Sequence, residues 1–214
     1  MTSTFAPPRW KVLLVGHGPQ GVSPSAKFLA TCKVAFDGPT GKIVCVRNVP
    51  EWVTATFPTK CITVVNCDVN SAEDQAPEQT DYVFPIFLYH VVDMKHMATQ
   101  RGWKRFYRLP TPVGCFFTGT QAMRYIMESY DCEELWCAGI DFDDKYLEAA
   151  WSSTKRLPNG GSAAQNWEQL RAALRLLMAD LKTQLQQHNT VVVTSSPSLQ
   201  EHFKSSVPLR EIEA

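Results

Sequence analysis

The stretch Lys11-Val-Leu-Leu-Val-Gly16-His17-Gly18-Pro19-Gln20-Gly21 constrains this chain more than any other. Val12 to Val15 form an unbroken apolar run, which suits a strand buried on both faces, as in a parallel sheet. Glycines at 16, 18 and 21 follow at once. Lacking a Cβ, they let the backbone turn sharply and come close to a ligand. Ser23 to Cys32 then reads as a helix with Ser23 or Ser25 near its N-cap. Strand, glycine turn and helix together can offer backbone N–H groups to a phosphate. The spacing is Gly-x-Gly-x-x-Gly, but Pro19 is unusual in a dinucleotide-binding turn. The next strand, Lys42 to Val46, runs into Arg47-Asn48 and not into an acidic residue. Two readings stay open for this stretch: a phosphate or nucleotide site, and a tight turn that only packs strand on helix.

Further apolar runs at Cys61–Asn66, Glu134–Ala138 and Thr190–Thr194 predict more strands. Tyr82 to His90 is aromatic and broken by Pro85, so it predicts at best an edge or irregular strand. Cys115 to Ser129 and Asn166 to Gln187 have helical spacing, the second with Leu170, Leu174, Leu177, Met178 and Leu181 on one face. Val34 to Gly41 reads as a strand remnant or connector, Asn66 to Thr80 as a polar loop, and Ser195 onward as a turn into a short tail. Strands alternating with helices imply an α/β class: a single Rossmann-like nucleotide-binding domain over residues 1–214, with a mainly parallel sheet and helices on both faces. Residues 1–9 and 205–214 are expected to be flexible tails. In such sheets ligands sit beyond the carboxyl ends of the strands. The polar residues at those ends, His17, Asn48, Asn66, Asp141 and Ser195, should therefore gather around one crevice.

Composition narrows the class. Lys plus Arg (21) equals Asp plus Glu (21), so there is no electrostatic footprint for a nucleic-acid backbone. The basic cluster Arg101, Lys104, Arg105 and Arg108 reads as a solvated face. Seven cysteines, an odd number without zinc-site spacing, read as reduced and buried, and a metal is not expected. No apolar run approaches the ~20 residues of a membrane span, and the first residues lack the pattern of a signal peptide. A cytoplasmic location is the expectation.

Four blocks, in order, resemble bacterial-type sialyltransferases, which transfer sialic acid from CMP-sialic acid without a metal. The first strand of that family ends in Gly-Asn-Gly-Pro-Ser; here it ends in Gly16-His17-Gly18-Pro19-Gln20. The second ends in an Arg/Asn element; here it is Arg47-Asn48. A third strand carries an Asn near its end, as Asn66 does. Later come a Thr-Ser-Gly-like loop, a helix, a strand and Gly-Ile-Asp-Phe. The corresponding residues here are Thr111-Pro112-Val113-Gly114, the helix to Ser129, and Gly139-Ile140-Asp141-Phe142. The resemblance implies that the Gly16–Gly21 turn, with His17, Gly18, Pro19 and Gln20, and the Thr111–Gly114 loop, with Val113, hold a cytidine nucleotide. It implies that Asn48 and Asn66 bond the donor phosphate or sugar, and that Tyr146 supports the leaving phosphate. Gly139, Asp141 and Phe142 would line the same pocket, with Asp141 either bonding ribose or capping a helix. The implied ligands are a CMP-sugar donor and a glycan or small-molecule acceptor, with no further cofactor. A homo-oligomer is compatible with the sequence.

The chain departs from that pattern at one chemically decisive point. The family carries a His, its general base, a few tens of residues after Gly-Ile-Asp-Phe. The comparable stretch here, Gly160 to Glu168, has none. A placed base contributes about 10²–10⁴-fold in rate. His17, Asp143 and Glu168 are the substitutes to weigh, with His17 otherwise a ligand hydrogen-bonder or a satisfied turn residue. The expectation is a metal-independent glycosyltransferase. The alternative is a catalytically inactive relative that binds a nucleotide or nucleotide-sugar.

Overall fold

The computed structural model describes residues 8–65, 80–86, 106–110, 118–142 and 163–212; for 84–86, 106–110, 163–171 and 173 only the main chain is described. In chain order the elements are β1 (Trp10–Val15), α1 (Pro19–Val22), α2 (Ala26–Phe36), β2 (Gly41–Val46), α3 (Glu51–Thr56), β3 (Ile62–Val65), β4 (Thr80–Ile86), β5 (Phe106–Pro110), α4 (Thr118–Ser129), β6 (Cys132–Ala138), α5 (Ala163–Gln187), β7 (Val191–Thr194), α6 (Pro197–Phe203) and β8 (Leu209–Glu211). The strands form one eight-stranded sheet, β5-β4-β3-β2-β1-β6-β7-β8. Every adjacent pair is parallel.

The apolar runs explain the layering. Successive side chains of a strand point to opposite faces, so an unbroken apolar run feeds two cores. Leu13 and Val15 of β1 pack with Phe28, Cys32 and Phe36 of α2 and Val53 of α3 on one face. Val12 and Leu14 pack on the other with Ala122, Met123 and Ile126 of α4, Leu177, Met178 and Leu181 of α5, and Leu199 and Phe203 of α6. The chain moves outward from β1 through β2 and β3 with its helices on the first face. It then returns to β6, on the other side of β1, and continues with its helices on the second face. Parallel crossovers are right-handed, so reversing the direction of travel moves the helices to the opposite face. The reversal point lies between β1 and β6, and it fixes where a site can open.

Several expectations change. Val34 to Phe36 belong to α2, whose N-cap is Ser25: its Oγ accepts from Phe28 N at 3.1 Å. Trp52 to Phe57 is ambiguous in the sequence; its residues up to Thr56 belong to α3, and Phe57 is its C-cap. β4 is not an edge strand but lies between β3 and β5, and Pro85 pairs with Leu109. Its pairing with β3 ends at Val65↔Val83, so the missing Pro85 N–H interrupts no described bond to β3. Residues 205–214 are not wholly a tail. Leu209–Glu211 add β8 to the sheet, and Arg210 Nη2 lies 2.9 Å from Glu134 Oε2 across β7. At the other end Arg9 is anchored, donating from Nη2 to the His188 carbonyl at 2.5 Å. Apolar packing also holds residues 205–212: Val207 lies in one core, and Leu209 and Ile212 pack against the two cores.

Glu134 is the electrostatic knot of that edge. It accepts from Trp136 Nε1 at 2.8 Å and lies 3.7 Å from Lys11 Nζ. Burial pushes its carboxyl up, but the bonds from Arg210 and Trp136 and the charges of Arg210 and Lys11 outweigh burial and hold it below the usual carboxylate range.

Candidate functional site: the crevice between β1 and β6

The segments that leave β1 and β6 at the reversal point interlock. Gly16 N donates to Ala138 O at 2.8 Å, and Gly18 N donates to Gly139 O at 2.9 Å. The turn then closes on itself, with Gly21 N and Val22 N both donating to Gly18 O. Trp52 of α3 clamps it from the side, its Nε1 donating to Gly21 O at 2.7 Å. A Cβ on Gly16 or Gly21 would run into the main chain of residues 138–139 or of Gly16 itself. Gly139 has φ +65, and a Cβ there would lie 2.5 Å from Gly21 N and 2.7 Å from Gly18 O. The glycine spacing is therefore required by loop-on-loop packing.

This changes the chemistry expected of the turn. The amides of Gly16, Gly18, Gly21 and Val22 are already bonded to main-chain carbonyls, so they do not form a phosphate cradle. α1 is a single turn of four residues. What the turn presents is side chains. Gln20 Nε2 and Asn48 Oδ1 are buried atoms without a hydrogen-bond partner among the described residues. The half-buried Asp141 makes no hydrogen bond or ion pair among the described residues. Its Oδ2 lies so close to Gly18 that a Cβ there would collide with it. Buried polar groups are nearly always paired. Unpaired amide atoms and a carboxylate sharing the C-terminal edge of a parallel sheet are what a polar ligand would satisfy.

Of the residues singled out in the sequence, Gly16, His17, Gly18, Asn48, Gly139, Asp141 and Phe142 fall on the loops following β1, β2 and β6, and Pro19 and Gln20 open α1 directly after the first of them. His17 is half-buried within the turn. Glu168 lies in α5, which begins at this same edge of the sheet; its side chain is outside the described residues, as are Asn66, Thr111, Val113, Gly114, Asp143 and Tyr146. Ser195 follows β7, and its neighbours serve local structure. Thr194 Oγ1 accepts from Ser196 N at 3.0 Å, and Ser196 Oγ accepts from Leu199 N at 3.3 Å to cap α6.

One contributor went unread in the sequence. The first turn of α4 meets the segment after β6 through Gly119, where a Cβ would lie 3.2 Å from the Phe142 ring and 3.9 Å from Ile140 Cδ1. The signal was present as Thr118-Gly119-Thr120, directly before the apolar helical repeat. Among the described residues no cluster of His, Cys, Asp and Glu is placed to hold a metal, and no helix is long and apolar enough to cross a membrane.

Fold and site together define an α/β protein of Rossmann-like architecture with polar side chains gathered at its topological switch point. Comparison of the chain with protein-family models, with curated proteins and with solved structures finds no match.

Proposed function

We propose that the crevice binds a cytidine nucleotide and that the protein is a sialyltransferase-like glycosyltransferase using a CMP-activated sugar, acting in the cytoplasm without a metal. The observation that carries this reading is the set of polar groups without a partner among the described residues, Gln20 Nε2, Asn48 Oδ1 and the Asp141 carboxylate, at the switch-point edge. Asp141 accepts from ribose hydroxyls, Asn48 Oδ1 accepts from a sugar hydroxyl, and Gln20 Nε2 donates to the phosphate. In the transfer, the acceptor oxygen bonds to the anomeric carbon as the bond from that carbon to the phosphate oxygen breaks, and the acceptor proton passes to a base. Of the residues weighed for that step, His17 lies in the glycine turn after β1, with Asp143 and Glu168 as the other candidates.

A second reading rests on a specific observation: the stretch Gly160–Glu168 has no His. In that reading the same crevice binds the nucleotide or nucleotide-sugar without turnover. Calorimetric titration with CMP, UMP and AMP in the presence of a chelator, followed by assay of CMP release from CMP-sialic acid with a panel of glycan acceptors, separates the two. Selective CMP binding with turnover supports the enzyme, and selective binding without turnover supports the binding protein. Equal or absent binding of all three nucleotides refutes both.

A further inference from the structure

The crevice has one unusual backbone feature. Arg47, the first residue after β2, has φ +70. Asn48 N donates to Val46 O at 2.9 Å, closing a three-residue turn around it. A γ-turn with positive φ at its centre is the rare and strained form. The other described non-glycine residue with positive φ is Asn189, at φ +51. Asn189 directly follows the Gln187–His188 end of α5, and asparagine there is an ordinary helix terminator. Arginine has no such preference, so the strain at Arg47 needs another reason.

The turn has two consequences. It sets Asn48 with its Oδ1 buried and without a partner among the described residues. It also leaves Arg47 exposed at the ligand edge of the sheet, with a guanidinium that makes no hydrogen bond or ion pair among the described residues. β2 pairs directly with β1, so Arg47 flanks the glycine turn on the side opposite β6. The Asp141 carboxylate stands on the β6 side, against Gly18. The crevice is thus polarised, with an anion beside β6 and a cation beside β2. The amides of Gly16, Gly18, Gly21 and Val22 are bonded internally, and the exposed Arg47 guanidinium is a positive partner that an anionic ligand group can meet at this edge. In dinucleotide-binding sheets an acid at the end of the second strand takes ribose hydroxyls, whereas an arginine nearby takes a phosphate.

We propose that Arg47 is the phosphate-reading residue of this site and that the strained turn is retained to hold it there. This inference rests on the nucleotide reading above and adds the orientation of the ligand: phosphate toward β2, ribose toward Asp141. Guanidinium–phosphate pairs are charge-assisted and strong.

The test is calorimetric titration of the wild type, Arg47→Gly and Arg47→Lys with CMP and with cytidine, alongside thermal melts. Wild type should bind CMP more tightly than cytidine. Arg47→Gly should lose about 10–100-fold in CMP affinity and none for cytidine, while its melting temperature rises by about 2–4 °C as the strain is released. Arg47→Lys should recover part of the CMP affinity without the thermal gain. If Arg47→Gly keeps the wild-type preference for CMP over cytidine, Arg47 does not read the phosphate, although the nucleotide reading survives. If it melts below the wild type, the turn is not strained as argued. If the wild type binds neither ligand, the nucleotide reading and this inference fall together.

Discussion

Replacing Gly139 by alanine should be among the most damaging small changes available to this protein. The added Cβ would sit 2.5 Å from Gly21 N, 2.7 Å from Gly18 O and 2.8 Å from Gly21 Cα. All three are main-chain atoms, held by Gly18 N→Gly139 O at 2.9 Å and Gly21 N→Gly18 O at 2.9 Å, so none can swing aside as a side chain would. The residue also sits at φ +65, where an alanine costs ~1–2 kcal/mol. Overpacking against a fixed neighbour adds ~1–3 kcal/mol. Together these give about 2–5 kcal/mol, a large share of the ~5–15 kcal/mol that stabilises an ordinary domain. At ~2–4 °C per kcal/mol for a domain of this size, the melting temperature should fall by roughly 5–20 °C. The matched control is Gly38→Ala. Apart from its chain neighbours, no described atom lies within 4 Å of its added Cβ, and its φ is outside the left-handed region. Reduced freedom of the unfolded chain should leave it unchanged or raise stability by up to ~1 kcal/mol. Urea unfolding followed by tryptophan fluorescence measures both. The reasoning is refuted if Gly139→Ala stays within ~0.5 kcal/mol of the wild type, or if the two variants lose equal stability.

Two further outcomes follow from electrostatics and burial. Glu134→Gln should cost ~1–3 kcal/mol at neutral pH, the worth of hydrogen bonds to a charged group. Because the Glu134 carboxyl is held below its ordinary value of 4.5 in the folded chain, its contribution is fully present above that value and disappears as pH falls through the lower, folded one. The gap between wild type and variant in urea melts should therefore close on acidification below about pH 4.5; a constant gap refutes the assignment. Burial pushes the Cys45 and Cys137 thiols well up and the Cys32 and Cys132 thiols up to about 12, while Cys61 is only half-buried. Brief iodoacetamide treatment of the native protein with peptide mapping should label Cys61 before any of these four, and early label on Cys45 or Cys137 would contradict the packing.

The sheet was legible because its strands are buried on both faces. Val12–Val15, Ile43–Val46 and Val191–Thr194 are runs that only a covered sheet accommodates, and their spacing fixed the alternation with helices. β8 was not legible, because Leu209-Arg210-Glu211 has no strand pattern of its own and is held by pairing to β7 and by the Arg210–Glu134 ion pair. β4 was misread as an edge because Pro85 argues against a central strand, yet the described pairing with β3 stops before the proline. At the site, the glycine spacing indicated close approach without saying of what. A glycine next to a ligand and a glycine next to another loop look alike in sequence, and here the neighbour is the segment after β6. Asn48 was visible as a polar strand end. The strain at Arg47 was not, because its positive φ is imposed by the turn and not by the residue type.

The most direct test of the central claim is the position of the bound nucleotide. Backbone amide chemical-shift mapping of the labelled protein during titration with CMP would locate it. The account predicts the largest shifts at Gly16–Gln20, Arg47–Asn48 and Gly139–Phe142, the segments that leave β1, β2 and β6. Shifts concentrated at the opposite edge of the sheet, around Tyr130 and Glu134, or no shifts at saturating CMP, would contradict it.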